Sequence, residues 1–143
     1  MTIEPHRRAR ADWPTDVLIS ADRTVEHAWA DWLTAKLEPN GLAVHRVGTG
    51  DEAVRIVRRG SLGLAMLGAR WPVRSGLGLL RRIRSVDPDV PCVLVASGID
   101  NRYLRKALAL SAYSILTLPV DRRVLRDLVA TAFRRFYESE LVL

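Results

Sequence analysis

Cysteine is almost missing from this chain: among its 143 residues Cys92 stands alone, which excludes an intramolecular disulfide. It lies inside the apolar run VPCVLVA, the setting of a buried thiol acting as a small hydrophobe rather than of a metal ligand or nucleophile. No apolar stretch approaches the roughly 18 residues that span a bilayer. The opening MTIEPHRRARADW also lacks the apolar middle of a secretory signal, so a cytoplasmic protein with no membrane contact is expected. Lysine is scarce as well. Lys36 and Lys106 are the only two, and arginine supplies the rest of the positive charge behind a net +6. Such an excess attracts acidic partners and polyanions, although a GC-rich codon supply yields the same balance. Three histidines, His6, His27 and His45, are scattered without metal-ligand spacing, and GTGDE lacks the length and strand context of a dinucleotide fingerprint. Neither a metal nor a cofactor is expected, and no catalytic pair is present.

What the chain does have is a globular balance of 48% hydrophobic and 27% charged residues, enough for one compact core. Residues 1–15 combine basic charge with Pro5 and Pro14 without apolar periodicity, which reads as a flexible arm ahead of a domain over 16–143. From Asp16 onward, short apolar runs alternate with helical spacing. DVLIS, GLAVHRV, LGLAML, PCVLVA and YSILTL read as strands. TVEHAWADWLTAKL, GDEAVRIVRRG, SGLGLLRRIRSV, DNRYLRKALAL and DRRVLRDLVATAFRRFYE read as helices. In the first helix the apolar set is Val25, Ala28, Trp29, Trp32, Leu33 and Leu37; in the second, Asp51 and Glu52 suit the first turn. The first, third and fourth strands are continuously apolar, as parallel strands covered on both faces must be, while His45 and Arg46 mark the second as an edge. Right-handed crossovers then give an α/β, flavodoxin-like, doubly wound (βα)5 sandwich with a parallel sheet in the order 2-1-3-4-5.

In such a sheet, chemistry gathers at the carboxyl ends of the strands. The tips are SADR, GARWP, ASG and LPVD, after the first, third, fourth and fifth strands. RWPVRSGLGLLRRIR, DVPCVLVAS and SAYSILTLPVD occur in order, and with them the chain resembles, over about residues 15–137, the receiver domain of two-component response regulators. The resemblance implies an acidic pair after the first strand, a phosphoacceptor aspartate after the third, a hydroxyl after the fourth and a lysine-proline after the fifth. Here those positions hold Ala21 and Asp22, then Gly68, Ala96, and Leu118 with Pro119. Glycine has no oxygen to phosphorylate, one carboxylate is a poor magnesium site, and Leu118 cannot pair with a phosphate. Ser97 replaces the lost hydroxyl only if the fourth strand slips by one residue. The resemblance also implies a cis Leu118–Pro119 bond. Apart from the resemblance, Gly68 is equally explained by a tight turn needing positive φ, and Trp71 reads as a cap on the altered pocket.

A domain without this chemistry acts through its surface. In the fourth helix Tyr103, Ala107 and Leu110 form an inward stripe, and Leu104 and Leu108 widen it toward a partner. By resemblance, the fourth helix, fifth strand and fifth helix form a docking or homodimer face. The candidate contacts there are Arg102, Leu104, Arg105, Leu108, Arg122 and Arg126, with Lys106 and Arg123 nearby. Asp121 and Asp127 interleave with those arginines in a pattern suited either to a reciprocal charged interface or to a solvated helix. Arg55, Arg58, Arg59, Arg81, Arg82 and Arg84 add positive patches on the second and third helices, the basis of an alternative reading as a nucleic-acid-binding or scaffold protein. The ending FRRFYESELVL reads as a frayed tail, or else as a segment that packs back, swaps or docks a partner. The leading expectation is a pseudo-receiver that is not an enzyme and that regulates by phosphorylation-independent protein–protein contact.

Overall fold

The computed structural model describes residues 14–21, 27–68 and 76–143. Five strands, β1 (Asp16–Ser20), β2 (Ala43–Val47), β3 (Leu62–Gly68), β4 (Cys92–Ala96) and β5 (Ser114–Thr117), form one sheet. All neighbours pair in parallel, in the order β2-β1-β3-β4-β5. Between and after them run α1 (Ala28–Leu37), α2 (Gly50–Arg58), α3 (Leu77–Val86), α4 (Asn101–Ala109) and α5 (Arg122–Tyr137). The architecture expected from the alternation of apolar runs is the one observed.

Strand side chains alternate between two apolar layers, as the two-residue period of a pleated strand requires. Val17, Ile19, Leu64, Met66, Val93 and Val95 face one layer with Trp29, Leu33 and Leu37 of α1 and Leu125, Val129 and Phe133 of α5. Leu18, Ala65, Leu67, Cys92 and Leu94 face the other with Ala53, Ile56 and Val57 of α2, Leu80 and Ile83 of α3, and Ala107 of α4. Both faces are therefore covered, and β1, β3 and β4 are buried along their whole length. Three helices start on side-chain caps: Thr49 accepts from the amide of Glu52, Asp100 from Tyr103 and Asp121 from Arg123. Glu52 in turn accepts from the Gly48 amide at 3.2 Å, which ties the residue before the cap to the first turn of α2.

Three local expectations are corrected. Pro14 and Thr15 belong to the packed fold rather than to an arm: the Thr15 carbonyl accepts from Ala43 N at 2.7 Å, and Pro14 is buried. The rest of that proposed arm, residues 1–13, lies outside the described residues. Ala28 is exposed while Ala30 is buried, because the inner face of α1 is centred on Trp29, Ala30, Leu33 and Leu37; Val25 lies outside the described residues. The end of the chain packs back instead of fraying. Ser139 is buried, Leu141 and Leu143 rest against the α1–α5 layer, and Asn40 donates to the Val142 carbonyl at 3.4 Å.

Candidate functional site

The register of a parallel sheet brings the carboxyl ends of the central strands to one edge. Ser20 pairs opposite Leu67, Gly68 opposite Val95 and Ala96 opposite Thr117, and the Leu118 amide donates to the Ala96 carbonyl at 3.0 Å. Ala21, Gly68, Ala96 and Leu118 thus share one rim; Asp22 and Trp71 lie outside the described residues. Ala96 is the last residue of β4, and Ser97 is exposed just beyond it. The Leu118–Pro119 bond is cis.

Gly68 is not a positive-φ turn residue: the glycines with positive φ are Gly41, Gly60 and Gly98. Close approach explains it instead. A Cβ at position 68 would meet the Ala21 Cβ at 3.0 Å, the Ser20 carbonyl oxygen at 3.0 Å and His27 Cε1 at 3.1 Å. All three are tighter than ordinary van der Waals contact. His27 is buried immediately before α1, and its Nδ1 accepts a hydrogen bond from the Trp29 indole N–H at 3.0 Å. The ring is therefore held, not merely lodged, against the tip of β3. A hard divalent cation such as magnesium seeks several oxygens, carboxylates first. The described residues packed around Gly68 offer a methyl group, an imidazole edge and one backbone carbonyl, a donor set that does not fit such an ion. Among the described residues no group of three or more metal-ligating side chains is found.

Sequence reasoning passed over His27, treating it as one of three scattered histidines. The local signal was its spacing of two residues from Trp29, which only matters once the strand tip comes close. A carboxylate at the other end of β1 is also engaged. Asp16 accepts a hydrogen bond from Ser61 Oγ and lies 3.4 Å from His45 Nε2. Four residue steps of a strand separate Asp16 from Ser20, about 13 Å at roughly 3.3 Å per residue.

Several arginines read from sequence as free surface charge are committed. Arg84 donates to the carbonyls of Leu110 (2.9 Å), Val90 (2.8 Å), Asp87 (3.2 Å) and Ser111 (3.0 Å), so it ties α3 to the end of α4. Arg82 pairs with Asp51 at 2.8 Å, which holds the Asp51 carboxyl below its ordinary range, chiefly through that hydrogen bond. Arg55, Arg58 and Arg59 of the proposed second-helix patch make no ion pair among the described residues. Arg122 reaches toward α1, its guanidinium 5.6 Å from the Trp32 ring centroid, and Arg126 lies 3.7 Å from Asp127. On α4 the split is sharper: Ala107 is buried and Tyr103 and Leu110 sit in the layer with α3, while Leu104 and Leu108 are 37% and 72% exposed. Arg102, Arg105 and Lys106 are exposed on the same helix. Burial pushes the Cys92 thiol up to about 12 and, by the same desolvation, the Tyr103 phenol up to about 12.

Comparison with known proteins agrees with this architecture. Residues 21–130 match the response regulator receiver domain family. The chain is 35% identical over 83 residues to the response regulator protein PilR of Pseudomonas aeruginosa, covering 58% of this chain and 19% of that protein. It is 30% identical over 113 residues to the C4-dicarboxylate transport transcriptional regulatory protein DctD of Rhizobium meliloti, covering 78% of this chain and 24% of that one. The chain therefore spans about a fifth to a quarter of the length of these relatives. Among solved structures, a CheY-like receiver domain protein from Methanospirillum hungatei superposes with a TM-score of 0.69 at 21% identity, over 87% of this chain and 98% of that one. A two-component response regulator from Clostridium difficile gives 0.69 at 22%, over 85% and 97%. At these identities the structures establish the fold.

Proposed function

The chain belongs to the response regulator receiver domain family, and from that premise we propose that it is a pseudo-receiver, a signalling module that works by protein contact without being phosphorylated and without catalysing a reaction. One observation carries the reading: at the tip of β3 the residue is Gly68, and a Cβ there would lie only 3.0–3.1 Å from Ala21, the Ser20 carbonyl and His27. A phosphoryl acceptor must supply a nucleophilic oxygen; Gly68 has none, and a Cβ there would already crowd its neighbours at 3.0–3.1 Å. Leu118 and Ala96 on the same rim add no donor for a phosphate. Asp16 lies at the opposite end of its strand, where it accepts a hydrogen bond from Ser61 Oγ.

In this reading the working surface includes the exposed Leu104 and Leu108 of α4 and Val124 of α5, which is 50% exposed, near the edge strand β5. The exposure of these three apolar side chains supports a homodimer through α4, β5 and α5 that would cover them. Two measurements test the reading. Incubation with acetyl phosphate and magnesium, followed by intact mass measurement, is expected to show the unmodified mass; a stoichiometric phosphate adduct on any aspartate, Asp16 and Asp22 included, overturns it. Sedimentation is expected to show a dimer that Leu108→Arg dissociates, and a monomer in the parent protein refutes the dimer.

A further inference from the structure

The flank of the molecule between α1 and α5 carries an arrangement that neither the altered strand tip nor the α4 surface uses. Trp32 of α1 is partly buried, packed against the core of that layer. Two cations lie by its ring: Lys36 Nζ at 5.8 Å from the centroid, one turn along the same helix, and Arg122 Cζ at 5.6 Å, from the first turn of α5. Both side chains belong to exposed residues, and neither makes an ion pair with a carboxylate among the described residues. Arg123 is exposed beside Arg122 and also makes no such pair.

The nearby acids are committed elsewhere. Asp31 of α1 is bonded by Arg46 of β2 at 2.7 Å, Asp121 caps α5 through the Arg123 amide at 2.8 Å, and Asp127 lies 3.7 Å from Arg126. The flank is thus an indole platform with positive charge at its border, and no carboxylate among the described residues pairs with Lys36 or Arg122. Cation–π contact contributes only about 0.5–1 kcal/mol at exposed sites, so it orients Lys36 and Arg122 without using up their hydrogen-bond donors. Arg122 in particular keeps its planar fork of N–H groups available for a bidentate carboxylate.

From this geometry we infer that the α1–α5 flank is a docking surface for an acidic amphipathic helix of a partner protein, which sets an apolar residue on Trp32 and carboxylates on Lys36, Arg122 and Arg123. The end of the chain, through Leu141 and Leu143, rests against the same layer, so the helix is assigned to the part of the flank around Trp32 and the first turn of α5. The two cations nearest the ring, Lys36 and Arg122, border one indole, which fits a short acidic segment with one apolar anchor.

The inference rests on the reading that this domain acts by surface contact, and its test is separate from the acetyl phosphate experiment, so that each can fail alone. The probe is a fluorescent synthetic amphipathic helical peptide with glutamates flanking a leucine stripe; its counterpart has glutamine at every glutamate. Fluorescence anisotropy with the full chain is expected to show binding of the glutamate peptide that weakens as salt rises, and little binding of the glutamine peptide. The Lys36→Glu, Arg122→Glu double variant is expected to bind about tenfold or more weakly. The Arg58→Glu, Arg59→Glu variant reverses as much charge on α2, on the other face, and is expected to bind as the parent does. Thermal melts are expected to be similar for all three proteins. Equal loss in both variants, equal binding of both peptides, no binding of the glutamate peptide, or preference for a single-stranded oligonucleotide over it would each overturn the assignment. So would a dimer that dissociates on reversal of Lys36 and Arg122, which would make a second copy the occupant.

Discussion

Adding a single methyl group at position 68 tests the packing on which the function rests. In Gly68→Ala the new Cβ meets a backbone oxygen at 3.0 Å, a methyl carbon at 3.0 Å and a ring carbon at 3.1 Å. None is the far end of a flexible side chain: Ser20 O and Ala21 Cβ are fixed to β1 and its end, and the His27 ring is buried and bonded to Trp29. Overpacking of this kind costs about 1–3 kcal/mol. Replacing glycine by alanine in a strand also removes freedom from the unfolded chain, a gain of about 0.4–1 kcal/mol. The net expectation is a loss of about 1–2 kcal/mol, read from urea denaturation followed by circular dichroism. Gly68→Asp is expected to lose at least about 1 kcal/mol more, since it adds an unpartnered carboxylate to the same closed space. The decisive variant is His27→Asn, which keeps an acceptor for the Trp29 indole and withdraws Cε1 from the contact. In the Gly68→Ala background it is expected to recover about 0.5–1 kcal/mol relative to its effect in the parent, a coupling that a double-mutant cycle isolates. Gly68→Ala at or above the parent stability, or additivity with His27→Asn, would refute the packing argument.

Other predictions follow from groups away from that tip. Arg84→Ala is expected to destabilise the protein by about 2–3 kcal/mol, with Arg84→Lys recovering little, because a single ammonium cannot reach the four carbonyls the guanidinium serves; chemical denaturation checks it. Cys92, with its thiol pushed up to about 12, is expected to resist a thiol-reactive dye near pH 8 while folded and to react once urea unfolds the chain, whereas rapid native labelling would contradict its burial. Tyr103 has a buried hydroxyl without a hydrogen-bond partner, so Tyr103→Phe is expected to leave stability unchanged or raise it by up to about 1 kcal/mol, and a loss above about 1 kcal/mol would reveal a partner. The Asp51 carboxyl is expected to titrate below its ordinary value by NMR and to return to it in Arg82→Gln, since Arg82 favours the charged form; an unchanged titration in that variant would sink the attribution.

The fold was legible in the sequence because period-two and period-3.6 patterns are written locally and a doubly wound sheet has few alternatives. The first strand matched its reading, the second, fourth and fifth needed trimming at their ends, and the third runs one residue further, through Gly68. Position 68 was legible as the loss of an acceptor but not as a crowded contact, because crowding depends on how β1, β3 and the start of α1 meet, residues far apart in the chain. The surface was read least well. Arginines at 84 and 122 look identical in composition, yet one is fixed on backbone carbonyls and the other lies against Trp32 across the layer. Their assignments depend on helix rotation, and a shift of one residue turns a helical side chain by about 100°. The same sensitivity moved the inner face of α1 from Ala28 to Ala30.

The grip of Arg84 has a mechanical meaning for α4. The carboxyl end of that helix is tethered to α3 and to the loop before β4, whereas its amino end rests on the exposed Asp100 cap. A protein pulling on the Leu104 and Leu108 side would swing α4 like a door hung at its far end, with the travel concentrated in the first turn. Strengthening the latch at Asp100, rather than the hinge at Arg84, is then the way to hold the door shut.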